Sequence, residues 1–174
     1  MARIGFTEVA ALPDAADQVA FELLFGSVPG VQNSQPLTIA CQQAQIPGMS
    51  NEAYTVVLHG HARNFRGRAM NSGTLSVTFI EVGDHLIQRQ LIAWKEFVAG
   101  QQSGNSQGYL ADYSVLAQLI SYDTTGRVAL RRNIEECFIQ EIPDIQHDGS
   151  SSAQMSISAT FKFSRAYPVD IPLL

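Results

Sequence analysis

The chain is 174 residues long, 45% hydrophobic and 16% charged, with a formal net charge of −5 and two cysteines. That length fits a single domain able to bury roughly 70% of its unfolded surface, and the charge content lies below the usual quarter of a globular sequence. The acidic balance excludes a nucleic-acid grip built on counterion release, and no apolar run approaches the roughly 18 residues of a membrane-spanning helix.

Met1 to Glu8 hold no secretory apolar stretch, so a soluble chain made in a reducing cytoplasm is expected. Buried free thiols at Cys41 and Cys137 are preferred to a disulfide. A low-charge surface rich in Ser, Gln and Thr fits repeated subunit contact and a quiet soluble surface equally well.

Residues 1–18, with Leu12-Pro13-Asp14, read as an arm. Val19 to Phe25 supplies a first strand, stopped by Gly26, Pro29 and Gly30. A second is expected from Leu37 to about Ile46, with Leu37, Ile39 and Cys41 on one face and Thr38, Ala40 and Gln42 on the other. Pro47-Gly48 ends it. Tyr54 to Leu58 favours a strand through β-branched and aromatic content, and Gly60 to Gly73, carrying Arg63, Arg66 and Arg68, reads as a long exposed loop or hairpin.

Leu75, Val77 and Phe79 alternate with Ser76 and Thr78 in a half-buried strand. A helix follows over about 84–99, capped by Asp84 and stopped at Gly100 as a left-handed residue. Ile87, Leu91, Trp94 and Val98 form its apolar stripe, widened by Phe97, and should pack it on a sheet. After a Gly/Ser/Gln/Asn-rich connection over 101–112, a hairpin is expected from Ser114–Tyr122 and Arg127–Ile142 around Asp123-Thr124-Thr125-Gly126. Its second strand loses its alternation and should bend or bulge. In the last strand Met155, Ile157, Ala159, Phe161 and Phe163 face a core, with Gln154, Ser156, Ser158, Thr160 and Lys162 opposite. The sum is a mainly β chain: two antiparallel sheets forming a sandwich or distorted barrel, flanked by one α-helix.

Chemistry finds little purchase. His59 and His61, as alternate strand residues, invite a two-histidine metal site, yet basic residues stand where a cupin-like site needs a carboxylate. Glu135 and Glu136 are adjacent and point to opposite faces of a strand. Ser150-Ser151-Ser152 lie beside His147 and Asp148 only in sequence, and a triad needs held geometry. No catalytic residue, cofactor or metal site is expected. A ligand-binding β-barrel stays as a further alternative.

Four landmarks in order carry a family resemblance: Ile39 to Gly48; Gly73 to Ile80 running into a helix with Ala93-Trp94-Lys95-Glu96-Phe97; Ala111-Asp112-Tyr113 before a hairpin ending at Glu141-Ile142-Pro143; and Gln154 to Ser164 followed by Tyr167. Together they resemble the tail tube proteins of contractile-tailed bacteriophages, which are related to the tubes of contractile injection systems. The resemblance implies a non-enzymatic virion tail subunit, assembled in the host bacterial cytoplasm, whose hexameric rings stack into a hollow conduit for genome ejection. Implied partners are further copies, a tail sheath protein, a baseplate initiator and a tail terminator, with DNA passing without specific binding. The tube of an injection or type VI-like secretion machine is the nearest alternative. Within that picture 47–73 is the inter-ring segment, with Arg63, Arg66 and Arg68 in stacking. Thr38, Gln42, Gln118, Asn133 and Glu135 are candidates for a lumen of negative potential, with Arg131 requiring an acidic partner.

Overall fold

The computed structural model describes residues 20–45, 47–100, 108–145 and 154–169. The expected arm, most of the Gly/Ser-rich connection, the serine-rich loop with His147 and Asp148, and the last five residues lie outside them.

In chain order the elements are β1 (Phe21–Phe25), α1 (Gln35–Ile39), β2 (Cys41–Ala44), β3 (Met49–Leu58), β4 (His61–Asn71), β5 (Thr74–Ile80), α2 (Leu86–Ala99), α3 (Leu110–Tyr113), β6 (Val115–Tyr122), β7 (Val128–Glu141), β8 (Ser156–Lys162) and β9 (Arg165–Pro168). All strand pairs are antiparallel. One path runs β1-β6-β7-β8-β5-β2 with β9 also on β7, while β3 and β4, among the described residues, pair only with each other.

The path folds into two layers because β7 turns a corner. Its first half pairs with β6 and β9, and its last residues pair with β8. Between these halves the register slips by one residue: Ala117 faces Ile134 but Val115 faces Cys137. Glu136 occupies that bulge with φ 54°. A bulge bends its strand and sharpens the twist, which is the physical reason the alternation fails there in sequence. Leu23, Phe25, Ala117, Leu119 and Ile134 of the first layer face Val77, Phe79, Ile157, Ala159 and Phe161 of the second across one core.

Helix α2 closes the core from the side. Ile87, Leu91 and Trp94 are buried, Val98 packs partly buried against the core, and Phe97 is half-buried. The Trp94 ring meets Phe25 edge-on (centroids 5.6 Å apart) and Phe161 at 5.3 Å, and its indole N–H donates to Tyr113 O at 3.3 Å. The amino end is held by more than Asp84, whose Oδ1 accepts from Leu86 N at 3.2 Å. Glu81, the residue just after β5, accepts from Ile87 N (3.1 Å) and Gln88 N (2.8 Å), satisfying two free helix N–H groups with a charge placed where the dipole favours it. Glu81→Gln, which keeps the shape and removes the charge, should cost about 1–2 kcal/mol. In thermal unfolding that is a fall of roughly 2–8 °C; an unchanged midpoint would mean the carboxylate adds nothing. At the other end Gly100 takes φ −3°, ψ 72°, not the left-handed conformation expected of it.

Two further expectations need correction. The strand proposed from Leu37 to Ile46 begins as a helical turn, α1, with Pro36 in its first turn; only Cys41–Ala44 is extended. Leu37 is buried while Ile39 is 76% exposed, so the two do not share a face. Of the loop or hairpin expected over Gly60 to Gly73, the hairpin is what forms, with His61–Asn71 as its second strand. The chain beyond Ser164 adds a strand, β9, that the sequence reading leaves out.

Candidate assembly surfaces

Beyond the core, the most conspicuous feature is the ribbon made by β3 and β4. Its turn is His59-Gly60, with φ 50° and 81°. Two positive values in a two-residue loop give the twist-matched hairpin turn, and Gly60 accepts its share without steric cost. His59 therefore sits at the tip and His61 opens β4, so the two imidazoles do not stand as alternate residues of one strand. Among the described residues no group of three His, Cys, Asp or Glu could hold a metal ion.

Register pairs Tyr54 with Phe65, Val56 with Arg63 and Leu58 with His61, then slips between Asn51 and Ala53. The slip falls at Gly67, where an added Cβ would lie 3.0 Å from both Glu52 Cβ and Glu52 O; only glycine lets the strands approach so closely. One ribbon face thus carries Tyr54 stacked on Phe65 (5.6 Å, 22°), with Arg63 over the Phe65 ring at 5.8 Å. Leu58, Met70 and Arg68 fall on the same face by alternation. Arg66 falls on the other, so the three arginines are divided. Tyr54 is 55% exposed, Leu58 52%, Met70 47% and Phe65 39%. The root of the ribbon is tied to the body by Arg132, which points toward the core side of β7 and donates from Nη1 to Pro47 O at 3.5 Å.

The outer face of the first layer gathers three of the five expected lumen residues. Gln118 and Asn133 are register partners, and Gln118 Nε2 donates to Asn133 Oδ1 at 3.0 Å. Glu135 lies two residues along, accepting from Tyr167 Oη at 2.7 Å and meeting Arg165 at 3.9 Å. Tyr122 Oη donates to Glu22 Oε2 at 2.7 Å on the same face, and that bond to a carboxylate is the first cause of a raised phenol pKa. Arg131 belongs here too, but no carboxylate bonds it among the described residues, and its buried Nε has no partner. The other two candidates lie elsewhere: Thr38 is on α1, and Gln42 is on β2 in the second layer. Tyr122, Glu22 and Arg165 are not among the sequence candidates, and Tyr167 stands there only as a family landmark, not as a residue of this face.

The outer face of the second layer is different in kind, being paved with cross-strand hydroxyl pairs such as Ser76 with Thr160 and Thr78 with Ser158. Cys41 and Cys137 are free, and burial pushes their thiols up to about 11 and about 12. Thiols held that far above neutrality carry almost no thiolate at neutral pH.

Strand edges differ in availability. At β1 the end bonds, Tyr122 N to Ala20 O and Gly26 N to Leu116 O, turn even-numbered backbone groups toward β6. Those of Phe21, Leu23 and Phe25 then face away, with Ser34 Oγ donating to Phe25 O. On β9 the outward groups belong to Ala166 and Pro168, and proline offers no N–H. The late edge of β7 is covered: Lys95 Nζ donates to Gln140 O at 2.6 Å, and the Tyr113 ring stands edge-on against Phe138.

No family model matches the chain, and no curated protein does. Solved structures do. A chain of the anti-feeding prophage cap, described as its tube terminating cap, aligns over 91% of this chain and 93% of its own length at 12% identity, with a TM-score of 0.64. A chain of the anti-feeding prophage baseplate, 6-fold symmetrised, covers 93% and 100% at 9% identity and 0.64. One from the extended sheath–tube complex of PVC, an extracellular contractile injection system, covers 97% and 100% at 9% identity and 0.59. The chain has the fold found in these assemblies: mainly β, two antiparallel layers and a flanking helix.

Proposed function

We propose that the chain is a structural subunit of a contractile tail tube, in which copies form rings and the rings stack around a channel. The observation that carries this reading is the β3–β4 ribbon. Among the described residues it pairs with no other strand, yet it exposes Met49, Tyr54, Val57, Leu58, Phe65 and Met70. An isolated two-stranded ribbon is marginal in water, and the exposed apolar surface made by the four that share one face, Tyr54, Leu58, Phe65 and Met70, is of the kind that marks an interaction site. The fold shared with tube-bearing assemblies supports the same reading over nearly the whole chain.

Ring closure has a physical route. The first layer, β1-β6-β7-β9, holds an even number of strands in alternating direction, so β9 runs opposite to β1. A copy rotated about a ring axis brings its β1 antiparallel beside the β9 of its neighbour, and the sheet continues without a break. Closure of that kind removes the exposed edges that would otherwise template aggregation. The second layer has one edge covered by Lys95 and Tyr113, which favours the first layer as the continuous wall and its outer face, with Gln118, Asn133 and Glu135, as the lumen. We read six copies per ring, with sheath, baseplate and terminator proteins as neighbours.

The conduit we favour is that of a bacteriophage tail, delivering DNA from a virion. A second reading, the tube of an injection machine with a protein cargo, draws on the assemblies whose chains share the fold. Negative-stain electron microscopy across a concentration series tests what the two have in common. Six-fold rings or hollow tubes of constant width are expected. Protein that stays monomeric, even when offered a baseplate template, overturns the tube reading.

A further inference from the structure

We infer that the ribbon docks by one face only, the Tyr54/Phe65 face bearing Arg63 and Arg68, onto the acidic flank of a second copy formed by α3 and the late part of β7. This rests on the tube reading and specifies which surfaces meet within it. The ribbon is electrostatically foreign to its own chain: from Met49 to Asn71 three arginines and one glutamate give +2, while the whole chain stands at −5, leaving −7 on the remainder. No carboxylate pairs with Arg63, Arg66 or Arg68 among the described residues; Arg63 has only the Phe65 ring.

The complementary surface follows from the disposition of the acids. Glu22 is bonded by Tyr122, Glu81 by the start of α2, Asp84 by Arg89, Asp123 by its own turn, and Glu135 by Tyr167 and Arg165. Glu96 is likewise engaged. Away from the ribbon, the carboxylates left without a partner among the described residues are Asp112, Glu136, Glu141 and Asp144, all exposed. They are not scattered. Asp112 sits on α3, whose Tyr113 packs on Phe138, and the other three follow along β7 and just beyond it. The positive φ of Glu136 lifts its residue out of the regular ladder at the corner of the fold.

Between the acids lies the half-exposed Tyr113–Phe138 pair, an aromatic counterpart for Tyr54 and Phe65. An apolar centre rimmed by opposite charges is what a specific interface requires, the charges fixing register and orientation. The ribbon and this flank are different surfaces of one copy, with no strand pairing between them among the described residues, so the contact is heterologous and propagates, as stacking demands.

The test is a charge swap read by microscopy and sedimentation. R63E/R68E and, separately, E136K/E141K should each raise the concentration at which tubes appear by roughly tenfold or more, while R66E changes it by less than about threefold. Combining the two doubles should return it to within about threefold of the native value. Unchanged melting temperatures establish that each variant folds. If the combined variant assembles no better than either double, or E136K/E141K assembles normally, the ribbon docks elsewhere and the inference fails with the tube reading intact. Native protein that never forms tubes on a template overturns both.

Discussion

Trp94→Ala should lower the unfolding free energy by about 3–5 kcal/mol, the range for deleting a buried tryptophan or phenylalanine. For a chain of this size that is roughly 6–20 °C in melting temperature, set against a total stability of about 5–15 kcal/mol. Trp94 is fully buried and sits where the three parts of the fold meet: Phe25 of the first layer, Phe161 of the second, and the helix that carries it. Phe25 and Phe161 also touch, at 5.3 Å, so removing the indole opens a space between rings that cannot collapse without moving a strand. The indole N–H bond to Tyr113 O additionally ties α2 to α3. Trp94→Phe separates the two effects: it keeps most of the packing, drops the hydrogen bond, and should cost about 1–2 kcal/mol. Circular dichroism melts of unassembled protein decide it. A fall under about 3 °C for the alanine variant would show that α2 is not what closes the core.

The parts of this fold that announce themselves in sequence are those whose pattern is set by one buried face. β8 alternates without fault because its Ile157, Ala159 and Phe161 all meet the core and its hydroxyl residues all meet solvent. Helix α2 shows its stripe for the same reason. Where the two periods overlap, pattern fails: Leu37, Ile39 and Cys41 alternate like a strand, but over five residues a helical turn started by Pro36 satisfies the same letters. The cap from Glu81 is invisible to a search that looks next to the helix, since it lies outside the helix it serves. Loss of alternation in β7 signals a bulge without saying that Glu136 takes it. β4 hides because it has no core face at all, so its arginines, Asn64 and Gly67 look like loop. Which edges stay open, and which carboxylates stay unpaired, are properties of the folded chain. Thr38 and Gln42, read from sequence as the polar face of one strand, therefore group with Gln118, Asn133 and Glu135 of the hairpin, and three-dimensional placement separates them.

Excising the ribbon should leave a folded protein that makes no tubes. Met49 and Asn71 are register partners, so their backbones lie about 4.5–5.5 Å apart and a two-residue Asn-Gly turn can close the gap. The ribbon contributes no residue to the buried core. Pro47 lies outside the excised segment, so the bond from Arg132 to Pro47 O is kept and the body loses only whatever cover the ribbon gives it. A stability change within about 1 kcal/mol is therefore expected, together with higher solubility, because the exposed apolar side chains of Tyr54, Val57, Leu58, Phe65 and Met70 leave with the segment. Assembly should be lost outright at every concentration where the native chain forms tubes, since stacking multiplies a weak contact over every copy in a ring. Six-fold rings that no longer stack would divide the labour cleanly: strand edges of the first layer make the ring, and the ribbon makes the tube. Tubes of normal width from the excised chain would refute the ribbon as the stacking element, and the exposed apolar residues would then have to be covered by some other partner of the tail.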